Sequence, residues 1–162
     1  MAVGVDYARL ERDLPPDARL VLDTSAVIAY LVGDEIASGA ATWLFDGRIG
    51  QGRNPAILSA VTAAELLVGP FKRGRSAVAT AEGFLQFFGE ILIAPMDYAV
   101  ARRCARIRAD TGLAIPDAVV LATAMEHEAG IVVTNDRRWV AAAETTPLPV
   151  KVCLLASYAL PG

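Results

Sequence analysis

Five short apolar runs recur along the chain, each four to six residues long. Runs of this length without strict polar alternation are typical of strands that are buried on both faces of a parallel sheet. Turn residues or longer amphipathic segments separate them. The pattern therefore predicts five strands, at residues 19–22, 56–60, 90–94, 131–134 and 150–155.

The segments between these runs have helical composition, and several carry capping signals. Thr24 or Ser25 is predicted to cap the first helix through its side-chain oxygen, and Thr62 with Glu65 fits a Thr-x-x-Glu capping box. Gly69–Pro70 is predicted to end the helix that contains this box. The predicted helices lie at residues 26–32, 36–45, 62–68, 75–88, 97–111, 116–128 and 137–143.

Strands that alternate with helices predict an α/β fold, a three-layer α/β/α sandwich with a mostly parallel central sheet. At 162 residues the chain fits one domain, which we place at residues 19–162. The charged residues 1–18 are predicted to form an N-terminal extension with a short helix. Residues 46–55, with three glycines and one proline, are predicted to form a loop. In such sheets the reactive site lies beyond the carboxyl ends of the strands.

Charge and hydropathy exclude several classes of protein. The chain is 54% hydrophobic, with a mean hydropathy of +0.42. The longest apolar stretches, at residues 26–33 and 118–125, are nevertheless far shorter than the roughly 20 residues that a spanning helix needs. Charged residues near the start disfavour a signal peptide, so we expect a cytoplasmic protein. The net charge of −3 means that any contact with nucleic acid must come from a local basic patch.

Cysteine and histidine are too few for several kinds of site. Cys104 and Cys153 lie in apolar or helical contexts without metal-ligand spacing, so we predict reduced, buried thiols. His127 is the single histidine. This excludes zinc sites built from several histidines and disfavours a serine–histidine triad.

Four acids stand where the predicted strands end or the following helices begin. Asp23 follows the first strand, Glu65 lies one turn into the helix after the second, Asp117 opens a helix, and Asp136 follows the fourth strand. Carboxylates gathered at one edge repel each other, and a hard divalent cation relieves that repulsion. Such an ion lowers the pKa of a bound water and neutralises charge on a phosphate.

Each acid also has a purely structural explanation. Asp23 can cap the next helix, Glu65 can serve only its capping box, Asp117 suits the positive end of a helix dipole, and Asp136 can be a turn residue. Four independent structural roles would have to place four acids at the strand ends, whereas one shared site explains all four positions. The placement therefore favours a metal site.

The sequence around these acids resembles the PIN-domain family, and within it the VapC toxins of toxin–antitoxin pairs. The likeness runs from about residue 19 to residue 155. It implies an α/β/α sandwich and Mg²⁺- or Mn²⁺-dependent cleavage of single-stranded or looped RNA. Asp23, Glu65 and Asp117 match the three core metal-binding acids, and Asp136 the more variable fourth. The matching segments are LVLDTSAVIAYL, SAVTAAELLVG, IPDAVVLATA and VVTNDRRW.

The resemblance also assigns roles to polar residues beside the acids. Thr24 and Ser25 match small hydroxyl residues next to the first acid, which are expected to hold a metal-bound water or a phosphate. Thr134 and Asn135 match polar residues that precede the fourth acid.

Arginines near the same edge are candidate RNA contacts. Arg137 and Arg138 directly follow the fourth acid, and Arg102 and Arg106 share a helix face because they are four residues apart. The alternative is that they are ordinary solvated surface arginines.

VapC-like proteins are usually homodimers silenced by an antitoxin that inserts a segment near the active site, often with an arginine. The resemblance thus implies a homodimer and a cognate antitoxin. The apolar helix faces of residues 26–45 and 75–88 are candidate contact surfaces, although Trp43, Phe84 and Phe87 also suit a core. Residues 1–18 and 46–55 make the chain longer than a typical toxin, which weakens the toxin interpretation.

Other interpretations stay open. A receiver domain needs an acidic pair after the first strand, and a haloacid-dehalogenase-like phosphatase needs Asp-x-Asp, whereas Thr24 and Ser25 follow Asp23. Both fit poorly. A PIN ribonuclease of RNA maturation without an antitoxin, or a non-catalytic PIN module that binds RNA or protein, fits the same residues.

Overall fold

A computed structural model of the chain describes residues 3–33 and 36–161. Residues 1–2 of the predicted extension, and residues 34–35 and 162 of the predicted domain, lie outside the described residues. The described part contains one sheet, ordered β3-β2-β1-β4-β5, in which every neighbouring pair is parallel. Its strands are β1 Leu20–Leu22, β2 Ala56–Ser59, β3 Ile91–Ala94, β4 Ile131–Thr134 and β5 Lys151–Leu154.

Helices cover both faces of this sheet. Alternate strand residues point to opposite faces, so Leu20 and Leu22 pack with α1 to α5 while Val21 packs with α6 to α8. This arrangement confirms the predicted three-layer α/β/α sandwich. The helices are α1 Tyr7–Asp13, α2 Thr24–Leu31, α3 Ser38–Leu44, α4 Ala60–Arg73, α5 Arg75–Phe87, α6 Tyr98–Thr111, α7 Ile115–Glu126 and α8 Arg137–Thr145.

The α4 helix differs from its predicted form at both ends. The Ser59 side chain caps it by accepting a hydrogen bond from the Thr62 amide at 3.0 Å. The predicted capping box is therefore wrong, because Thr62 and Glu65 both lie inside the helix. The predicted end is also wrong, because the helix continues through Pro70 to Arg73. Pro70 is buried, so its packing offsets the one backbone hydrogen bond that proline cannot make.

The segment predicted as a loop at residues 46–55 is partly helical and tightly packed. A π-helical turn at Phe45–Ile49 continues α3 directly. It buries Arg48, whose side chain is 6% exposed and donates to Asn54 Oδ1 at 2.8 Å and to the Leu14 carbonyl at 2.9 Å. The glycines signalled a loop, but these buried contacts hold the backbone in a compact turn.

The N-terminal segment packs into the same hydrophobic cluster as the rest of that face. Leu10 of α1 and Leu14 just after it are fully buried in this cluster. Val5 also forms an antiparallel bridge with Ala159. The helix predicted within residues 1–18 is confirmed, whereas the boundary at residue 19 between extension and domain stays a prediction.

Two further expectations bear on the class of protein. Cys104 and Cys153 are both buried and unpaired, as predicted. Among the helices of residues 3–33 and 36–161, none is long and apolar enough to cross a membrane.

Candidate active site

All four predicted acids line one cleft of about 310 Å³ at the carboxyl edge of the sheet. Asp23 directly follows β1, and Asp136 follows the neighbouring strand β4 after one residue. Glu65 lies on α4, which follows β2. Asp117 is the third residue of α7. Parallel strands end at the same edge, so four distant parts of the chain meet there.

Asp23 is held by two hydroxyl groups. Its carboxylate oxygen Oδ2 accepts hydrogen bonds from Ser25 Oγ at 2.7 Å and from Thr134 Oγ1 at 2.9 Å. The side chain is 8% exposed. Asp23 stands at the N-cap position of α2, yet its side chain makes no capping hydrogen bond. Helix capping therefore does not account for this carboxylate, and the predicted caps Thr24 and Ser25 are wrong because both lie inside the helix.

Backbone amides orient these two hydroxyls. The Asn135 amide donates to Ser25 Oγ at 2.8 Å, and the Asp136 amide donates to Thr134 Oγ1 at 3.0 Å. Each hydroxyl carries one hydrogen, so each accepts from the backbone and donates to Asp23. No described residue donates to the other oxygen of Asp23. That oxygen keeps its lone pairs available to a ligand.

The side chain of Asn135 serves the fold as well. Its Oδ1 accepts a hydrogen bond from the Ala156 amide at 3.1 Å, which ties the loop after β4 to the 3₁₀ turn Leu155–Tyr158. The prediction that Asn135 handles phosphate or water stays a prediction.

Glu65 lies at the exposed rim of the cleft. Its carboxylate accepts a short hydrogen bond from Thr24 Oγ1. This contact joins α4 to the start of α2. Thr24 thus donates to Glu65, whereas Ser25 donates to Asp23. The predicted role of Thr24 toward a phosphate stays a prediction.

Burial and neighbouring charges both act on the carboxyl group of Asp117. Burial raises its pKa above the ordinary 3.8, and the negative charge of Asp23 raises it further. Arg138 lowers it, and Asp136 and Glu65 add smaller increases. Burial and the neighbouring carboxylates thus outweigh the effect of Arg138, and together they disfavour the charged form of Asp117.

Among the described residues, Asp136 is the one acid of the cleft for which a salt bridge is seen. Its Oδ1 accepts the Arg138 backbone amide at 2.9 Å, which caps α8, and its Oδ2 accepts the Arg138 side-chain Nε at 2.8 Å. The hydrogen bond from the Arg138 side chain holds the pKa of Asp136 below its ordinary value, although burial opposes it.

The lining of the cleft fits a hard divalent cation in chemistry. Its polar groups are carboxylates and hydroxyls, with no histidine or cysteine among the described lining residues, and such oxygens are what Mg²⁺ and Mn²⁺ prefer. Within residues 3–33 and 36–161, however, no group of three acid, histidine or cysteine side chains is arranged to hold an ion as it stands. Thr24 donates a hydrogen bond to one oxygen of Glu65, and Arg138 pairs with Asp136.

The predicted RNA contacts fall into two places. Arg138 lines the acid cleft, and Arg137 is exposed beside it. Arg102 and Arg106 instead line a separate groove of about 570 Å³ along α6, together with Tyr98. The Tyr98 side chain is 81% exposed, and its position at the start of α6 was not predicted to matter.

A third concave surface, the α2/α4/α5 groove, adjoins the acid cleft. It has a volume of about 420 Å³ and shares Ile28 and Glu65 with the cleft. Phe84 lies in the groove, whereas Phe87 is 81% exposed outside it. The predicted contact faces thus contribute to the groove, but α4 contributes as well. Its main apolar lining residues are Ile28, Leu31, Val32, Leu66, Pro70 and Phe84.

The fold and the cleft together define an α/β protein with an acid-lined site at the carboxyl edge of a parallel sheet. The family model of the PIN domain matches residues 20–145, which is most of the chain. This chain belongs to the PIN-domain family, as its sequence resemblance suggested. No curated protein matches it.

Solved structures with the same fold include components of toxin–antitoxin systems. FitAcB from Neisseria gonorrhoeae is similar at 26% identity and a TM-score of 0.61, over 84% of this chain and 97% of that one. A toxin–antitoxin complex from Klebsiella pneumoniae is similar at 23% identity and 0.60, over 82% and 98%. VapC20 from Mycobacterium tuberculosis, a sarcin–ricin loop cleaving toxin, is similar at 16% identity and 0.59, over 76% and 94%. The last two likenesses concern the fold alone.

Proposed function

We propose that this chain is a Mg²⁺- or Mn²⁺-dependent endoribonuclease and the toxin of a toxin–antitoxin pair. One observation carries the proposal: in a PIN-domain chain, four carboxylates from four separate elements line a single cleft at the carboxyl edge of the sheet. The similarity to FitAcB from Neisseria gonorrhoeae, at 26% identity, supports the toxin assignment.

In this proposal each acid has a distinct task. Asp23, Glu65 and Asp117 hold the principal ion, and Asp136 helps to hold a second ion or orients the attacking water. When bound, the ion supplies charge neutralisation for the scissile phosphate and acidifies a water molecule. Ser25 orients Asp23 through the 2.7 Å hydrogen bond. Glu65, which accepts a hydrogen bond from Thr24, would contribute its carboxylate to the same ion.

The phosphates of the RNA are expected to meet the basic residues at this edge. Arg137 and Arg138 stand beside the acids, so they would contact the phosphates that flank the scissile bond. Arg102 and Arg106 lie in the α6 groove and would contact a more distant part of the strand. Tyr98 at the start of that groove offers an exposed ring on which a base can stack.

An antitoxin is proposed to occupy the α2/α4/α5 groove. Its apolar walls suit the apolar face of a helix, and its end at Glu65 opens onto the acid cleft. A segment bound there can reach the acids with a basic side chain. Leu31→Asp is expected to abolish binding of the protein encoded by an adjacent reading frame, while Phe87→Asp, outside the groove, retains it. Equal binding by both variants would contradict this surface.

A second copy of the chain is the other proposed partner. Apolar side chains lie exposed at the edge strand and the nearby helix starts, with Leu92 52%, Met96 44% and Ile115 48% exposed. Light scattering of the purified chain would measure the assembly. A monomer at all concentrations would remove the homodimer from the proposal.

The test of the nuclease is cleavage of a panel of tRNA, rRNA fragments and single-stranded RNA with Mg²⁺, Mn²⁺ or EDTA. Asp23→Asn is expected to lower the rate at least about 100-fold, because it weakens a metal ligand. The matched control is Asp17→Asn, which makes the same change at an exposed residue outside the cleft.

The alternatives give different outcomes in the same experiment. Cleavage that no adjacent gene product inhibits would favour a PIN ribonuclease of RNA maturation. Folded wild-type protein that binds RNA but cuts nothing with either ion would favour a non-catalytic module. Full activity of Asp23→Asn would contradict the assignment of the site.

A further inference from the structure

Arg138 holds Asp136 through both its backbone and its side chain. The backbone amide donates to Oδ1 at 2.9 Å, while Nε donates to Oδ2 at 2.8 Å and a terminal nitrogen lies 2.5 Å from the same oxygen. The guanidinium therefore covers the Oδ2 atom of Asp136. A divalent ion that is to bind this oxygen must first displace it.

Arg138 is also the one cationic side chain among the described residues that line the cleft. Four carboxylates and a single guanidinium share this space, so Arg138 is the internal counter-charge of the cluster. Asp23 is held differently, because its partners are the neutral hydroxyls of Ser25 and Thr134. A hydroxyl leaves the charge of its acid uncompensated and does not compete electrostatically with an incoming ion.

The side chain of Arg138 can move away from Asp136. It is 81% exposed, so packing does not fix it, and an exposed ion pair contributes little free energy. Its position at the second residue of α8 keeps the backbone amide on Asp136 Oδ1 even when the guanidinium moves away. The helix cap and the ion pair are thus separable.

We propose that Arg138 is an exchangeable counter-ion: it occupies Asp136 in the free protein and transfers to a phosphate of the RNA strand when Asp136 turns to the divalent ion. This inference rests on the proposed function. The Asp136 oxygen is then more readily available when an anionic strand offers Arg138 another partner. Arg138 acts on the ion through Asp136 and is a positioning residue.

The experiment is calorimetric titration of the metal-free protein with Mn²⁺ in the absence of RNA. Arg138→Gln is expected to bind Mn²⁺ about two- to five-fold more tightly than wild type, because the competing cation is gone. Arg137→Gln is the matched control. It removes the same charge from the adjacent residue, for which no described residue provides an ion-pair partner. Its affinity should change less than that of Arg138→Gln.

A double-mutant cycle separates direct competition from a general change of charge. In an Asp136→Asn background, Arg138→Gln should raise Mn²⁺ affinity by less than it does in the wild-type background, because only the long-range effect of Arg138 on Asp117 and Asp23 remains. Equal gains for Arg138→Gln and Arg137→Gln, or an undiminished gain in the Asp136→Asn background, would overturn the proposal. Circular dichroism of each variant checks that α8 remains folded.

The same titration distinguishes this inference from the proposed function. Wild-type protein that binds no Mn²⁺ and cuts no RNA would overturn the nuclease itself. Wild-type protein that binds Mn²⁺ while Arg138→Gln binds it with unchanged affinity would overturn only the exchange of Arg138. A complementary readout is affinity for single-stranded RNA in EDTA, which Arg138→Gln should lower and Arg138→Lys should largely retain.

Discussion

Two groups of polar residues in this protein place an aspartate in opposite electrostatic surroundings. In the acid cleft, burial and the neighbouring Asp23 raise the pKa of Asp117. At the other site, the Asp13 cluster, burial also raises the pKa of Asp13, but hydrogen bonds from Lys151 and Tyr158 outweigh it and the net direction is downward. The difference is the balance of partners. Asp13 has a cation and a hydroxyl as hydrogen-bond donors, whereas Asp117 has burial and neighbouring carboxylates acting against its charged form.

The Asp13 cluster connects the two ends of the described chain. Lys151 Nζ lies 3.0 Å from Asp13 Oδ1, and the Tyr158 hydroxyl donates to Oδ2 at 2.9 Å. The Arg9 guanidinium stacks 4.8 Å from the centre of the Tyr158 ring. These contacts join α1 to β5 and to the turn after it. The cluster therefore serves the fold, and its disruption should change stability without changing the chemistry of the cleft.

The largest effect on this side of the comparison is expected from Leu10→Ala. Leu10 is fully buried in the hydrophobic cluster that also contains Tyr158, and removing such a side chain costs about 2–5 kcal/mol. Urea unfolding measures the loss, with the exposed Glu11→Ala on the same helix as a control. Cleavage per folded molecule should stay unchanged. A matching fall in that specific activity would mean that the two regions are coupled.

Asp117→Asn is expected to increase the stability of the metal-free protein, whereas Leu10→Ala decreases it. The folded pKa of Asp117 is raised, so the stability that its protonated form contributes at low pH is lost as the pH rises through that value. At neutral pH the variant should therefore be more stable than wild type by about 0.5–2 kcal/mol. The gain should vanish in acid. Unfolding in EDTA across pH measures it, and a less stable variant at neutral pH would contradict the charge conflict.

If the cleft holds the ion, wild type should be more stable than Asp117→Asn in the presence of Mn²⁺. Binding to the folded state stabilises wild type, whereas Asp117→Asn loses a proposed ligand and should gain less. Thermal unfolding with and without Mn²⁺ measures both shifts. Equal shifts in the two proteins would remove Asp117 from the proposed metal ligands.

Asp13→Asn is expected to have the smallest effect, a loss of about 0.5–1.5 kcal/mol at neutral pH. The folded pKa of Asp13 is lowered, so its contribution is present above the unfolded value of 3.8 and is lost as the pH falls through the folded pKa. The difference from wild type should shrink below about pH 4. A difference that is the same at pH 7 and in strong acid would mean that Asp13 acts through packing.

Local sequence patterns were reliable where one physical cause dominates. Each predicted strand contains an observed one, because a short apolar run between helical segments favours a strand of a parallel sheet. Burial on both faces was wrong for the edge strand β3, which exposes Leu92 and Ile93 because it has a neighbour on one side only. The prediction of a Thr62–Glu65 capping box was wrong because the helix begins earlier. Ser59, three residues before Thr62, is the N-cap and accepts the hydrogen bond from the Thr62 amide. The prediction of a loop at the glycine-rich segment was partly wrong because burial of Arg48 stabilises a compact turn.

The sequence by itself determined the sandwich and the identity of the four acids. Strand period, strand ends and the parallel order place Asp23, Glu65, Asp117 and Asp136 at one edge without any knowledge of contacts. Only the tertiary structure decided how each acid is held. Hydroxyl pairing at Asp23 and guanidinium pairing at Asp136 depend on side-chain directions across neighbouring elements. The α2/α4/α5 groove likewise exists only when three helices pack at their observed angles, because its walls come from residues far apart in the chain.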